Sequence, residues 1–169
     1  MRLRTPGGTE AVLAAGGAAQ VGPLPPEELL VAVDVEERAV AGKRAGGFPV
    51  VGAVDASGRL LGFASWGTFR AFPAYKYTVE HSVYVHRDHR GKGLGERLLR
   101  ELIRRARETQ LHVLVGCIDA ANAGSIGLHT RLGFVHSGTM PQVGFKFGRW
   151  LDAAFYQLNL ETPLEPRDG

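Results

Sequence analysis

Val83-Tyr84-Val85-His86-Arg87-Asp88-His89-Arg90-Gly91-Lys92-Gly93-Leu94-Gly95 joins a β-branched, alternating segment to an amphipathic one. Gly91, Gly93 and Gly95 free the backbone between them, so successive N–H groups can converge on one point. A helix starting at Leu94 would add the positive end of its dipole. Arg90 and Lys92 add charge. These features together describe an anion site suited to a pyrophosphate. The spacing excludes two commoner phosphate loops. A nucleotide P-loop needs Ser or Thr after its lysine, and Gly93 follows Lys92 here. A dinucleotide fingerprint needs a third glycine where Glu96 stands. A glycine-rich turn without a ligand is the plainer alternative, and the flanking strand and helix weigh against it.

Outward from this loop the pattern alternates between the two regular periods. Residues 94–109 place Leu94, Leu98, Leu99, Leu102, Ile103 and Ala106 on one helical face. Arg100, Arg104, Arg105 and Arg107 read as the solvated face of that helix. Residues 48–54 and 59–66 read as the strands of a hairpin around the turn Asp55-Ala56-Ser57-Gly58. Residues 77–86 form a long strand, 111–118 a buried strand, and 122–132 a short helix closed by Gly133. Residues 134–138 and 153–160 read as two further strands. Every aromatic residue lies from Phe48 onward. Before it, Pro25-Pro26-Glu27-Glu28 resembles a helix start, predicting a helix over 26–41, with a weaker one over 9–20. Helices mixed with hairpins predict an α/β or α+β fold around one sheet, in one domain spanning 1–169.

Composition narrows the setting. The chain has 169 residues, 44% hydrophobic and 22% charged, ordinary for a globular domain. A net charge of +3 is too mild to argue for nucleic acid. No apolar run is long enough for a bilayer helix, and the start lacks a signal-peptide core. Cys117, the one cysteine, excludes an intrachain disulfide framework and fits a reducing cytoplasm. No His, Cys and carboxylate spacing suggests a metal site.

The loop Arg90-Gly91-Lys92-Gly93-Leu94-Gly95 resembles the R/Q-x-x-G-x-G/A motif of the GCN5-related N-acetyltransferases. Asn122-Ala123-Gly124-Ser125-Ile126-Gly127-Leu128-His129-Thr130-Arg131-Leu132-Gly133-Phe134 resembles the second cofactor segment of that family. Thr78-Val79-Glu80-His81-Ser82-Val83-Tyr84-Val85 and Gly144-Phe145-Lys146-Phe147-Gly148-Arg149-Trp150-Leu151-Asp152 are similar to the phosphinothricin and methionine sulfoximine acetyltransferases. The resemblance runs from about Gly47 to Glu161. Residues 1–46 match poorly: Ala14-Ala15-Gly16-Gly17-Ala18-Ala19 stands where such enzymes carry an Ile-Tyr-Asn-like segment. The resemblance implies a mostly antiparallel central sheet flanked by helices and splayed where acetyl-CoA binds. It implies acetyl-CoA as co-substrate, held by Val83, Tyr84, Val85, Arg90, Gly91, Lys92, Gly93, Leu94, Gly95, Glu96, Asn122 and Ser125. A homodimer is also implied, with a small-molecule amine as substrate and neither nucleic acid nor membrane as partner.

Acetyl transfer requires that an ammonium lose its proton, that the thioester carbonyl be polarised, and that a thiolate leave. Glu80 is the candidate general base. Strand alternation places it with Ser82 and Tyr84, opposite Val79, His81, Val83 and Val85. A structural carboxylate is the competing reading on the residues alone; the resemblance favours catalysis. His129 stands where many relatives carry an acidic tyrosine, and either acid catalysis or packing would suit it. His81 lies on the apolar alternation, which suits a structural role, while its neighbours make it a substrate-site candidate too. His86 and His89 are expected at the solvent, and Cys117 in the core. Arg70 would bind a substrate carboxylate through its fork. Ala71, Phe72, Tyr75, His81 and Ser82 complete the candidate acceptor site, with Lys146 a weaker anion binder and Trp150 expected in the core. The expected activity is N-acetylation of methionine sulfoximine, methionine sulfone or phosphinothricin. Two alternatives stay open: another amine (a polyamine, an aminoglycoside, a protein N-terminus), or an acyl-CoA-binding module without catalysis.

Overall fold

The computed structural model describes residues 2–4, 10–12, 30–34 and 46–168. Strands β1 (Arg2–Arg4) and β2 (Glu10–Val12) pair antiparallel. Strands β3 (Leu30–Asp34), β4 (Val50–Val54), β5 (Leu60–Thr68) and β6 (Thr78–Val85) follow. Helix α1 (Leu94–Glu108), β7 (Val113–Asp119) and α2 (Ala123–Arg131) come next, and then β8 (Val135–Lys146) and β9 (Arg149–Asn159). The chain packs into two compact units, Met1–Trp66 with Ser82–Leu102, and Gly67–His81 with Ile103–Gly169.

In the first unit β3, β4 and β5 pair antiparallel in that order. The β4–β5 turn is closed by Asp55, whose Oδ1 accepts from Ser57 N at 3.0 Å and Arg59 N at 3.0 Å. Val50, Val51 and Ala53 of β4 and Leu61, Phe63 and Ala64 of β5 are buried. The first part of α1 adds Leu94, Leu98, Leu99 and Leu102, each at most 2% exposed. Burying one such side chain stabilises the fold by about 1.5–3 kcal/mol. The stripe expected from helical spacing is therefore the buried face. Arg100, on the outer face, reaches Glu96 one turn back at 2.8 Å.

In the second unit the order is β6, β7, β9, β8. β6 and β7 are parallel over Thr78↔Val113 to His81↔Gly116; β7–β9 and β9–β8 are antiparallel. Leu114, Ile118, Phe134 and Ala154 form the buried core beside Val79. Pairing is thus mostly antiparallel, as the family resemblance implies, within the mixed α/β fold that the residue pattern predicts.

Four readings need correction. Residues 30–34 are a strand, not part of a helix: Val31 and Val33 are β-branched, and β4 supplies a partner. Residues 10–12 are likewise a strand, paired with β1. The rest of both predicted helices lies outside the described residues. β8 and β9 are much longer than 134–138 and 153–160. Pro141 and Gly144 disguise β8, and a register irregularity falls between Met140 and Gly144. The hairpin closes through Phe147 and Gly148, both in the left-handed region at φ 55° and 71°, the geometry a two-residue turn needs. Cys117 is exposed. The register of β7 with β6 stops at Gly116, one residue before it.

Candidate active site

The anion loop lies in the first unit. One 3-10 turn, Arg87–His89, follows β6. Gly91 and Gly93 hold φ of 73° and 77°, a conformation that other residues adopt only under strain. The first i→i−4 bond of α1 runs from Arg97 N–H to Gly93 O at 3.1 Å. Amides ahead of it have no acceptor within the helix and point out of its N-terminus. Leu94 is buried at 2%, so it offers the loop its backbone only. Arg90 donates from Nε to Val85 O at 3.3 Å, which fixes its stem across the loop. Lys92 is half-buried, and Gly91 and Gly93 are exposed. The end of β6, from which the loop springs, lies close against β5 because Gly62 has no side chain. A Cβ there would stand 2.6 Å from Tyr84 O and 3.2 Å from Val85 Cα. Tyr84 stacks on Phe63 with ring centroids 5.0 Å apart. This arrangement fits a pyrophosphate: left-handed glycines, a helix end and two cations.

His86 and His89 do not simply face solvent. Their rings pack at 5.6 Å, and His86 Nδ1 accepts from Asp88 N at 3.3 Å. His89 Nδ1 is buried without a hydrogen-bond partner. Burial, then the charge of Lys92, lowers the His89 pKa.

The candidate base and second cofactor segment lie in the second unit. On β6, Val79 and His81 are buried while Glu80 is half-buried, which bears out the alternation there. The Cys117 thiol feels Glu80: burial and then the Glu80 charge raise its pKa. Asn122 caps α2, its Oδ1 accepting from Ser125 N at 3.1 Å. Asn122 is exposed and Ser125 half-buried. Arg70 is exposed, donates from one guanidinium nitrogen to Phe69 O at 2.9 Å and lies over the Phe69 ring at 4.5 Å. Phe69 meets Tyr75 edge-on at 6.0 Å, and Phe72 is 68% exposed. Ala71 is exposed as well. Trp150 is not in the core: it is 58% exposed near the β8–β9 turn, against Phe145 at 5.2 Å. Lys146 lies over Phe147 at 4.9 Å.

His129 and His81 meet, and the sequence reading missed it. Both are 4% exposed. Their Nε2 atoms are 2.9 Å apart, while His81 Nδ1 is 2.8 Å from Val115 O and His129 Nδ1 is 2.7 Å from Ser125 O. Phe134 covers both rings, at 5.2 Å and 5.0 Å. Gly116 makes room: a Cβ there would stand 2.9 Å from His81 Cε1. Desolvation lowers both pKa values, that of His81 to about 3 with the His129 charge as second cause. Burial therefore disfavours charge on either ring, and repulsion between the rings disfavours a second charge most. The available signal was Gly116 itself, a glycine inside an apolar strand, which marks a close approach.

With these geometries in place, likeness to known proteins decides the family. Residues 21–134 match the model of the Acetyltransferase (GNAT) family. The chain belongs to that family. It is an N-acetyltransferase by descent. It is 61% identical over 115 residues to an L-methionine sulfoximine/L-methionine sulfone acetyltransferase of Pseudomonas paraeruginosa, covering 68% of this chain and 67% of the relative. It is 40% identical over 109 residues to a phosphinothricin N-acetyltransferase of Alcaligenes faecalis, covering 64% and 55%. A phosphinothricin acetyltransferase from Sinorhizobium meliloti, solved in complex with acetyl-CoA, superposes with a TM-score of 0.70 at 39% identity, over 76% of this chain and 70% of that one. Among the described residues no group of three His, Cys, Asp or Glu side chains is arranged to hold a metal ion. No helix among them is long and apolar enough to cross a membrane.

Proposed function

We propose that this enzyme transfers the acetyl group of acetyl-CoA to the amine of a small amino-acid analogue. The acceptor is of the methionine sulfoximine, methionine sulfone or phosphinothricin type, and the enzyme works in the cytoplasm as one catalytic domain. The observation that carries the reading is Glu80. It is a half-buried carboxylate on β6 whose charge reaches the exposed Cys117. It sits in a chain 61% identical over 115 residues to a methionine sulfoximine/sulfone acetyltransferase.

Each named residue then has a task. The amides at the start of α1, with Gly91, Gly93 and Gly95, take the pyrophosphate, and Arg90 and Lys92 balance its charge. Glu96 closes the first turn of that helix. Val83, Tyr84 and Val85, with Asn122 and Ser125, bind the pantetheine arm through polar and backbone groups. Glu80 removes a proton from the substrate ammonium, directly or through water, and frees the lone pair that attacks the thioester carbonyl. The attacking nitrogen gives up its second proton as the carbon–sulfur bond breaks with its electron pair on sulfur, and that proton passes through water to the departing thiolate, which leaves as the CoA thiol. Both ring nitrogens of His129 are engaged, so His129 serves the leaving thiolate through the field of its ring. Arg70 takes the substrate carboxylate, and Ala71, Phe72, Tyr75, His81 and Ser82 shape the acceptor site.

Phe145, Met140, Val143 and Trp150 on β8 and β9 are between 51% and 64% exposed. Exposed apolar side chains gathered on one hairpin suit an association surface, and a second copy of the chain, which the family resemblance implies, is the proposed occupant. Light scattering would give the dimer mass, and Phe145→Asp should give the monomer. A monomeric parent chain would refute this part.

The enzyme assay is thiol release from acetyl-CoA with methionine sulfoximine, methionine sulfone, phosphinothricin, a polyamine, an aminoglycoside and a peptide. Release with the first three is expected. Release only with the others moves the acceptor class, and release with none leaves an acyl-CoA-binding module. Glu80→Gln should lower turnover by roughly 10²–10⁴-fold. The deficit should shrink as pH rises, because solvent then supplies free amine. A deficit constant with pH would mean that Glu80 only holds the strand.

A further inference from the structure

The contacts of His81 and His129 impose a proton count. Val115 O and Ser125 O are carbonyl oxygens, which only accept, so both Nδ1 atoms must carry hydrogen. If both rings were neutral with hydrogen on Nδ1, two bare lone pairs would face each other at 2.9 Å. Three hydrogen bonds need three protons, and two neutral imidazoles carry two. Flipping either ring is no escape, because it would remove that ring's Nδ1 contact and its Nε2 contact together.

We propose that His81 and His129 hold one proton in common between their Nε2 atoms, as a single, singly charged unit in which His81 is the positioning residue for helix α2. The unit forms one hydrogen-bonded chain from the Val115 carbonyl through both rings to the Ser125 carbonyl. It ties β6 and β7 to the first turn of α2, where Ser125 and its cap Asn122 lie. That these two residues face the cofactor rests on the function proposed above; the proton count does not. The close approach is built in, because Gly116 leaves space for both rings and Phe134 closes over them. Burial opposes charge on either ring, and the three contacts, which need a third proton, hold one against it; repulsion between the rings opposes a second. The other titratable and charged groups on the surrounding elements are Glu80 and Tyr84 on β6, Cys117 and Asp119 on β7, Arg131 on α2, and Arg149, Asp152 and Tyr156 on β9, where Tyr156 lies opposite Gly116.

The test is side-chain ¹⁵N NMR of the full chain at about pH 6.5, where a free imidazole is half-charged. Both Nδ1 atoms should give protonated-type signals, and both Nε2 atoms signals intermediate between protonated and bare. One bare Nδ1 beside a fully protonated Nε2 would overturn the proposal. Calorimetry of acetyl-CoA binding tests the positioning role. His81→Leu leaves His129 Nε2 and Val115 O without their partner and should weaken binding several-fold. His81→Gln, whose amide can donate to His129 Nε2, should restore most of it. Equal affinity in both variants would overturn the positioning role. If neither variant folds, the NMR result on the parent chain still decides the proton count. Failure of the parent chain to bind acetyl-CoA would strike the proposed function and leave that count standing.

Discussion

Gly116→Ala turns the packing around the histidine pair into a measurable quantity. The new methyl would stand 2.9 Å from His81 Cε1, 3.2 Å from His129 Nε2 and 3.3 Å from His129 Cδ2. Carbon atoms pack best at roughly 3.5–4.0 Å, so the His81 ring must retreat by about 0.6 Å or more. Phe134 stands behind both rings, and each Nδ1 is tethered to a backbone carbonyl. A retreat of that size stretches the 2.9 Å contact between the rings to the edge of hydrogen-bond range. Overpacking costs about 1–3 kcal/mol, and one weakened hydrogen bond about 0.5–1.5 kcal/mol. Exchanging glycine for alanine within a strand returns about 0.5–1 kcal/mol. The net loss is about 2 kcal/mol, or a fall in Tm of about 4–8 °C for a chain of this length. The assay is urea unfolding, read as a lower midpoint at unchanged slope, alongside a thermal melt. Gly144→Ala is the control, since a Cβ there meets only Leu151 Cβ, at an ordinary 3.6 Å. If Gly116→Ala is as stable as Gly144→Ala, the rings are not held where the structure puts them, and the argument fails.

Gly93→Asp should abolish most of the Tm rise that acetyl-CoA produces, because it sets a carboxylate against the pyrophosphate and puts a side chain at φ 77°. A full rise in the variant would place the phosphates elsewhere. Arg70→Ala should raise KM for a carboxylate-bearing amine about tenfold or more while sparing acetyl-CoA; equal losses for an amine without a carboxylate would make Arg70 structural. Stability should fall as pH drops from about 6.5 towards 3, because burial lowers the pKa of His81 in the folded chain and the unfolded chain takes up protons first. Taken as the difference from a His81→Gln, His129→Gln double variant, the slope should be about 1.4 kcal/mol per pH unit for one retained proton. A slope of about 2.7 kcal/mol per unit would mean that the folded pair holds none.

The parts of the fold that sequence made legible are those with one dominant period and one buried face. The α1 stripe from Leu94 to Leu102 is such a case, since each of its leucines is at most 2% exposed. The β4–β5 hairpin is another, because Asp55 writes its turn into local chemistry. The β8–β9 hairpin is longer than its sequence suggests because β8 is almost wholly exposed and β9 is mostly half-buried. Apolar and polar residues are not sorted onto faces there, so no alternation announces them. Residues 30–34 read as helical because they follow a proline–glutamate pattern of the kind that starts helices, while the β4 partner that makes them a strand is remote in sequence. Among site residues, the loop glycines and Glu80 were visible through spacing and alternation. Cys117 was misplaced because its exposure follows from where the β6–β7 register stops, a tertiary fact. Trp150 was misplaced because it pairs with Phe145 beside an exposed turn.

The histidine contact belongs to a further class, in which no residue carries the signal by itself. His81 on β6 reads as a polar interruption of an apolar face, His129 as a polar residue on a short helix, and Gly116 as a weak point in a strand. Their meaning is joint. With His81 alone exchanged for an apolar residue, Val115 O and His129 Nε2 would each lose the partner that the ring supplies, and the buried, bare His129 Nε2 would cost about 1–3 kcal/mol. With Gly116 alone exchanged, the rings lose their space. Only a concerted change, removing both imidazoles and filling the volume, avoids these costs. The arrangement is therefore coupled in the thermodynamic sense, and single substitutions at these positions should not add. The same coupling bears on catalysis. Glu80 and His81 are consecutive on β6, one half-buried and one buried. Whatever fixes the His81 ring therefore also fixes the backbone from which the Glu80 carboxylate projects. A base must reach its proton within hydrogen-bond distance to act at all. On this reasoning the buried pair supports the site by holding the strand from behind, which makes His81 as necessary to the position of Glu80 as to that of helix α2.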